Sequence, residues 1–203
     1  MHRCSRNACQ AGRVRSFDPV RLGSREAGAW VAYYRREWWR FLRCAVGMVR
    51  TGFGMSWPRT LLGAWFVLRA NQKWAPYPDN DPDAARRLMH RFYRQVMRAT
   101  GERFDIDEAA RLEIAWWRAH RELQRERPGA GDEELVDALA ALYAHVYGIP
   151  AADGRQAGRL RAEAMRLSDT WVEAGCDPTS PLVDGERVAL VRSYATLLAA
   201  VYR

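Results

Sequence analysis

The 203-residue chain has a single lysine, Lys73, and its other 31 basic residues are all arginine. It has four cysteines, no two in a CxxC spacing, and no apolar run longer than Leu61-Leu62-Gly63-Ala64-Trp65-Phe66-Val67-Leu68. Each shortage excludes something. Cys4, Cys9, Cys44 and Cys176 are too few to staple a chain of this size, and their spacing fits no structural zinc site. The apolar run is far below the roughly 18 to 20 residues a helix needs to cross a bilayer. Met1-His2-Arg3-Cys4 has no apolar segment behind it, so no secretory signal is expected and the expected compartment is the cytoplasm. A Walker loop, a GxGxxG turn, a GxSxG elbow and an HExxH pair are all missing, and so is the alternation of a strand.

What is present is an ordinary globular composition, 48% hydrophobic and 28% charged, enough for one domain with a real core. Arginine in place of lysine, with abundant alanine, points to a GC-rich bacterial coding sequence. The net charge of +8 is unevenly placed: residues 1–75 hold 14 basic and 3 acidic residues, a net +11, and the remainder 18 and 21, a net −3. No zinc-finger spacing, RNP-like aromatic strand or GXXG loop accompanies the basic end, so nucleic acid is not the expected partner. A partner protein, a second copy of the chain, an anionic apolar ligand or anionic headgroups met peripherally all fit the asymmetry.

Residues 1–17 are basic and aperiodic and are expected to form a disordered tail; residues 18–203 are expected to form one domain. From Glu26 to Arg50, Trp30, Val31, Tyr34, Trp38, Phe41, Leu42, Ala45, Met48 and Val49 recur at three- and four-residue steps, predicting one long amphipathic helix. Pro58 opens a second helix, running through Leu68. Asp81 before Pro82 caps a third that stops at Gly101, and Asp105 caps a fourth that stops before Pro128. Three more follow, over about Asp132 to Gly148, Gly154 to Ala174 and Gly185 to Tyr202. Short connections imply antiparallel neighbours, so the expectation is an all-α, compact bundle of about seven helices.

Candidate chemistry is sparse. Asp79, Asp81 and Asp83 imitate the start of a calcium loop, yet Ala84 and His90 stand where its glycine and final glutamate belong, which leaves a helix cap. On the fourth helix Trp116 and Trp117 bracket an arc that holds Glu113, His120 and Gln124. Arg35, at about 60° from Trp38 on the first helix, falls inside that helix's apolar arc. Buried polar groups need partners, so Arg35, Glu113 and His120 are expected to form one pocket-lining cluster. Glu113 and His120 are seven residues apart, about 10.5 Å along a helix axis, and cannot comfortably share one ion. No Glu-x-x-His pair occurs, and no metal site is expected. Six of nine tryptophans lie in the first 75 residues among arginines, making Trp39 and Arg40 candidate contact residues alongside Trp116 and Trp117. Two readings stay open. One is a binding protein working through its Trp/Arg-rich N-terminal helices; the other is a helical enzyme, such as a heme- or iron-dependent oxidoreductase, with Glu113 and His120 as catalytic candidates.

Overall fold

The structure is a computed structural model that describes residues 16–126 and 130–203. Most of the expected tail, including Cys4 and Cys9, lies outside the described residues. These form eight helices and no strand: α1 (Pro19–Tyr34), α2 (Trp38–Phe53), α3 (Trp57–Trp74), α4 (Pro82–Thr100), α5 (Ile106–Arg125), α6 (Glu133–Tyr147), α7 (Ala151–Glu173) and α8 (Pro181–Val201).

Three helix starts repeat one device, a short polar side chain accepting the first free backbone N–H groups and a proline at the next position. Asp18 accepts from Val20 and Arg21 ahead of α1, Asp81 from Ala84 ahead of α4, and Ser180 from Leu182 ahead of α8. Asp105 caps α5 without a proline, accepting from Asp107 and Glu108. At the other ends, Gly54, Gly101 and Gly148 take the left-handed conformation after α2, α4 and α6.

The single helix predicted over 26–50 is in fact two, which raises the count from seven to eight among the described residues. Arg36 adopts φ +59°, its N–H donates to Tyr33 O (3.1 Å), and the Glu37 N–H reaches back to Ala32 O (2.8 Å). That is a Schellman turn with arginine where glycine normally stands, so nothing in the composition marks it. The apolar rhythm runs straight through the break, because the faces of α1 and α2 turn toward the same interior. Phe17, expected in the tail, is instead buried and meets Tyr147 and Tyr194 edge-on, with ring centroids 6.3 and 5.7 Å away.

Each helix packs on its sequence neighbours, and α8 packs back onto α1. The eight helices therefore close into an up-and-down ring. One end carries the α1–α2, α3–α4 and α7–α8 connections, tied by Arg36 to Ala75 O (3.4 Å), Arg121 to Trp74 O (2.8 Å) and Arg35 to Cys176 O (3.0 Å). Closure depends on close approach. A Cβ at Gly23 of α1 would lie 2.7 Å from the Val191 backbone nitrogen of α8, so only glycine lets those two backbones meet. The apolar faces of all eight helices point inward, and no helix is long and apolar enough to cross a membrane among the described residues.

Candidate functional site: an interior cavity with an arginine end

A ring of eight helices is too wide for its side chains to fill completely. A cavity of about 200 Å³ lies inside, lined from every helix, by Trp30 of α1, Phe41 and Met48 of α2, Val67 and Asn71 of α3, Phe92 and Tyr93 of α4, Glu113, Trp116 and Trp117 of α5, Leu139 and Tyr143 of α6, Arg161 of α7 and Tyr194 of α8. A second cavity of about 130 Å³ shares Trp30, Phe41, Asn71, Trp116 and Trp117 with the first and continues it toward the end carrying the α1–α2 and α3–α4 connections. Together they fall at the lower end of the roughly 300–1,000 Å³ usual for small-molecule sites.

Besides Asn71, which donates to Val67 O (2.9 Å), two polar groups stand in the inner wall. In the first, Arg161 forms a buried ion pair with Glu26, and the Tyr194 hydroxyl donates to the other Glu26 oxygen (2.5 Å). Burial pulls the Arg161 pKa down, but the Glu26 carboxylate and the surrounding hydroxyls more than reverse this, so it stays well above its ordinary value. Its guanidinium also lies over the rings of Trp116 (5.2 Å) and Trp30 (5.9 Å). In the second group Glu113 accepts from the Tyr93 hydroxyl (2.6 Å) and from Trp117 Nε1–H (3.1 Å). Burial raises the Glu113 pKa despite these donors and the nearby Arg161 charge. The Tyr93 phenol is pushed up as well, by burial and by the Glu113 charge.

The outer cavity has a different character. Arg36, Arg121 and Arg125 line it together with Tyr33, Tyr34, Trp74, His120 and Gln124. Each guanidinium rests on an aromatic face: Arg36 over Tyr33 (5.6 Å), Arg121 over Trp74 (4.3 Å), Arg125 over Tyr77 (4.7 Å). None of the three is in an ion pair among the described residues. Burial lowers the pKa of Arg121, and the Arg125 charge adds to the effect. Like charges held at the end of an apolar chamber without a carboxylate partner favour an anion there. On one wall His120 and Gln124 are held from behind by Asp169, which lies 3.1 Å from His120 Nε2 and accepts from Gln124 (2.8 Å).

The expected cluster of Arg35, Glu113 and His120 does not form. Arg35 is at the C-cap of α1, outside the ring wall, donating to Glu37 (2.6 Å) and to Cys176 O. The break at Arg36 turns it away from the arc that an unbroken helix would have given it. Glu113 and His120 do face the interior, two turns apart, with different partners. Trp116 and Trp117 line both cavities, Trp117 meeting Trp74 at a tilt, with ring centroids 5.6 Å apart and planes at 59°. Trp39 is 83% exposed and covers no helix crossing, and Arg40 pairs with Glu37 (3.0 Å). No group of three or more His, Cys, Asp or Glu side chains is gathered in metal-binding geometry among the described residues.

Arg161, Glu26 and Tyr194 were not singled out from sequence, although a signal existed. Arg161 sits four residues after Ala157 and three before Ala164 on one apolar stripe, and Glu26 sits four before Trp30. A charge inside such a stripe is the mark of a buried pair. Compared with family models, curated proteins and solved structures, the chain finds no match.

Proposed function

We propose that the ring is a binding protein for an amphipathic anion, with the apolar body of the ligand in the inner cavity and its carboxylate or phosphate at Arg36, Arg121 and Arg125. The observation that carries this reading is the continuity of an aromatic, apolar chamber with an end holding three arginines that lack carboxylate partners. The N-terminal helices supply much of that end, through Tyr33, Tyr34, Arg36, Phe41, Asn71 and Trp74. The test is a titration of the full chain with a dansyl-labelled long-chain carboxylate and with the corresponding alcohol. Saturable binding of one carboxylate per chain is expected, and an Arg121→Gln/Arg125→Gln variant loses about tenfold or more for the carboxylate while leaving the alcohol unchanged. Equal affinity for carboxylate and alcohol sinks the reading.

A second reading, a helical enzyme, is favoured by Glu113 specifically. A carboxyl group whose pKa burial has raised, hydrogen-bonded to a phenol and facing an arginine across a cavity, can exchange a proton with a bound substrate. Glu113→Gln then abolishes turnover of a bound ligand and leaves its affinity intact; the binding reading alone expects no turnover to lose.

A further inference from the structure

We propose that the α2–α3 hairpin docks on an anionic lipid surface. On α3, Trp57, Leu61 and Trp65 follow one another at four-residue steps and so line one ridge of the helix, and they are 56%, 54% and 49% exposed. Leu62 beside them and Trp39 at the start of α2 are exposed as well. Two tryptophans and two leucines on one helix face form a continuous apolar strip that the ring itself does not cover, since α2 and α4 already occupy the flanks of α3. The charge around the strip is of one sign. Residues 38–78 contain Arg40, Arg43, Arg50, Arg59, Arg69 and Lys73 and not one Asp or Glu. The Arg50 guanidinium lies 4.1 Å from the centre of the Trp57 ring and that of Arg69 5.9 Å from the Trp65 ring, so cation and indole stand side by side along the strip.

The occupant must therefore offer negative charge and an apolar layer at once. A second copy paired through the same face presents the same cations, of which only Arg40 has an acidic partner in Glu37 among the described residues, so pairing two such faces sets like charge against like. A nucleic acid satisfies the charge and leaves Leu61 and both tryptophans against a polar backbone. An anionic bilayer meets both demands: indole and leucine side chains enter the boundary below the headgroups while arginine stays at phosphate level. With no helix able to span a bilayer among the described residues, α3 lies in the plane of the interface. The docking is independent of the interior cavity and stands or falls without it.

The experiment is co-sedimentation of the full chain with vesicles of phosphatidylcholine alone and of phosphatidylcholine with about a third phosphatidylglycerol. Binding to the anionic vesicles only is expected, weakening steeply as salt is raised. Trp57→Ser/Trp65→Ser lowers the partition coefficient about tenfold or more, with circular dichroism and melting temperature unchanged because both side chains are exposed. Leu61→Ser is the second variant should the double one fold poorly, and it weakens binding in the same direction. Three results overturn the proposal: equal binding to both vesicle types, wild-type binding by a folded double variant, or a dimer in sedimentation velocity that these substitutions dissociate.

Discussion

Glu186 offers the sharpest test of how the ring is held together. It lies on α8, fully buried, and neither of its carboxyl oxygens has a hydrogen-bond partner among the described residues. Burial, followed by the nearby Glu26 charge, raises its pKa from 4.5 to about 8. The native state therefore keeps a proton on Glu186 over a pH range in which the unfolded chain has lost it, and stability falls as pH rises from about 4.5 to about 8. At about 1.4 kcal/mol per pH unit, the full interval sets a ceiling near 5 kcal/mol. Relaxation and water entry around the ionised carboxylate bring the expected loss to about 2–5 kcal/mol. Glu186→Gln keeps the shape and removes the titration. Urea unfolding of both proteins, followed by circular dichroism across about pH 5 to 9, is the assay. At the acid end the two differ little; at the alkaline end the variant is the more stable by about 2–5 kcal/mol. A difference that moves by less than about 1 kcal/mol over that range would refute the assignment of Glu186 as a buried, proton-holding group.

Other substitutions test other joints. Gly23→Ala drives its new methyl into the backbone of Val191 and costs about 1–3 kcal/mol in chemical denaturation, although alanine is the better helix former; a stabilised variant would refute the close α1–α8 approach. Arg36→Gly is more stable than Arg36→Ala by about 1 kcal/mol, the reverse of the usual helix order, because position 36 needs a positive φ. Thermal melting of the two variants side by side checks it. Arg161→Met leaves Glu26 buried without its partner and costs about 3–5 kcal/mol, while Arg161→Met/Glu26→Leu recovers much of that loss. A double variant no better than the single one would mean that the pair is not coupled. Phe17→Ala costs about 3–5 kcal/mol, which distinguishes a packed residue from a tail residue.

Helical periodicity and capping chemistry wrote most of the fold into the chain. Asp81-Pro82 and Asp105 announced two helix starts that the structure places where they were expected, and Gly101 and Gly148 announced two stops. The Arg36 turn escaped because a left-handed position filled by arginine has no compositional mark, and that one miss carried Arg35 out of the expected cluster. In the site, Glu113, Trp116 and Trp117 were legible because polar and aromatic side chains crowded one arc of one helix. The arginine end was not, since Arg121 and Arg125 are one turn apart at the end of α5 while Arg36 comes from the α1–α2 turn, and no local pattern links it to them.

By itself the sequence determined what depends on neighbours a few residues apart: the helical period, the caps, and a basic, tryptophan-rich first third without acids between Trp38 and Pro78. Only the tertiary structure decided which faces meet. Glu26 finds Arg161 across 135 residues and Tyr194 across 168, and such pairs exist only because α8 returns to α1. Closure of the ring is a many-body packing outcome, governed by where small residues such as Gly23 let backbones approach. The interior cavity and its arginine end follow from that closure and from no single segment.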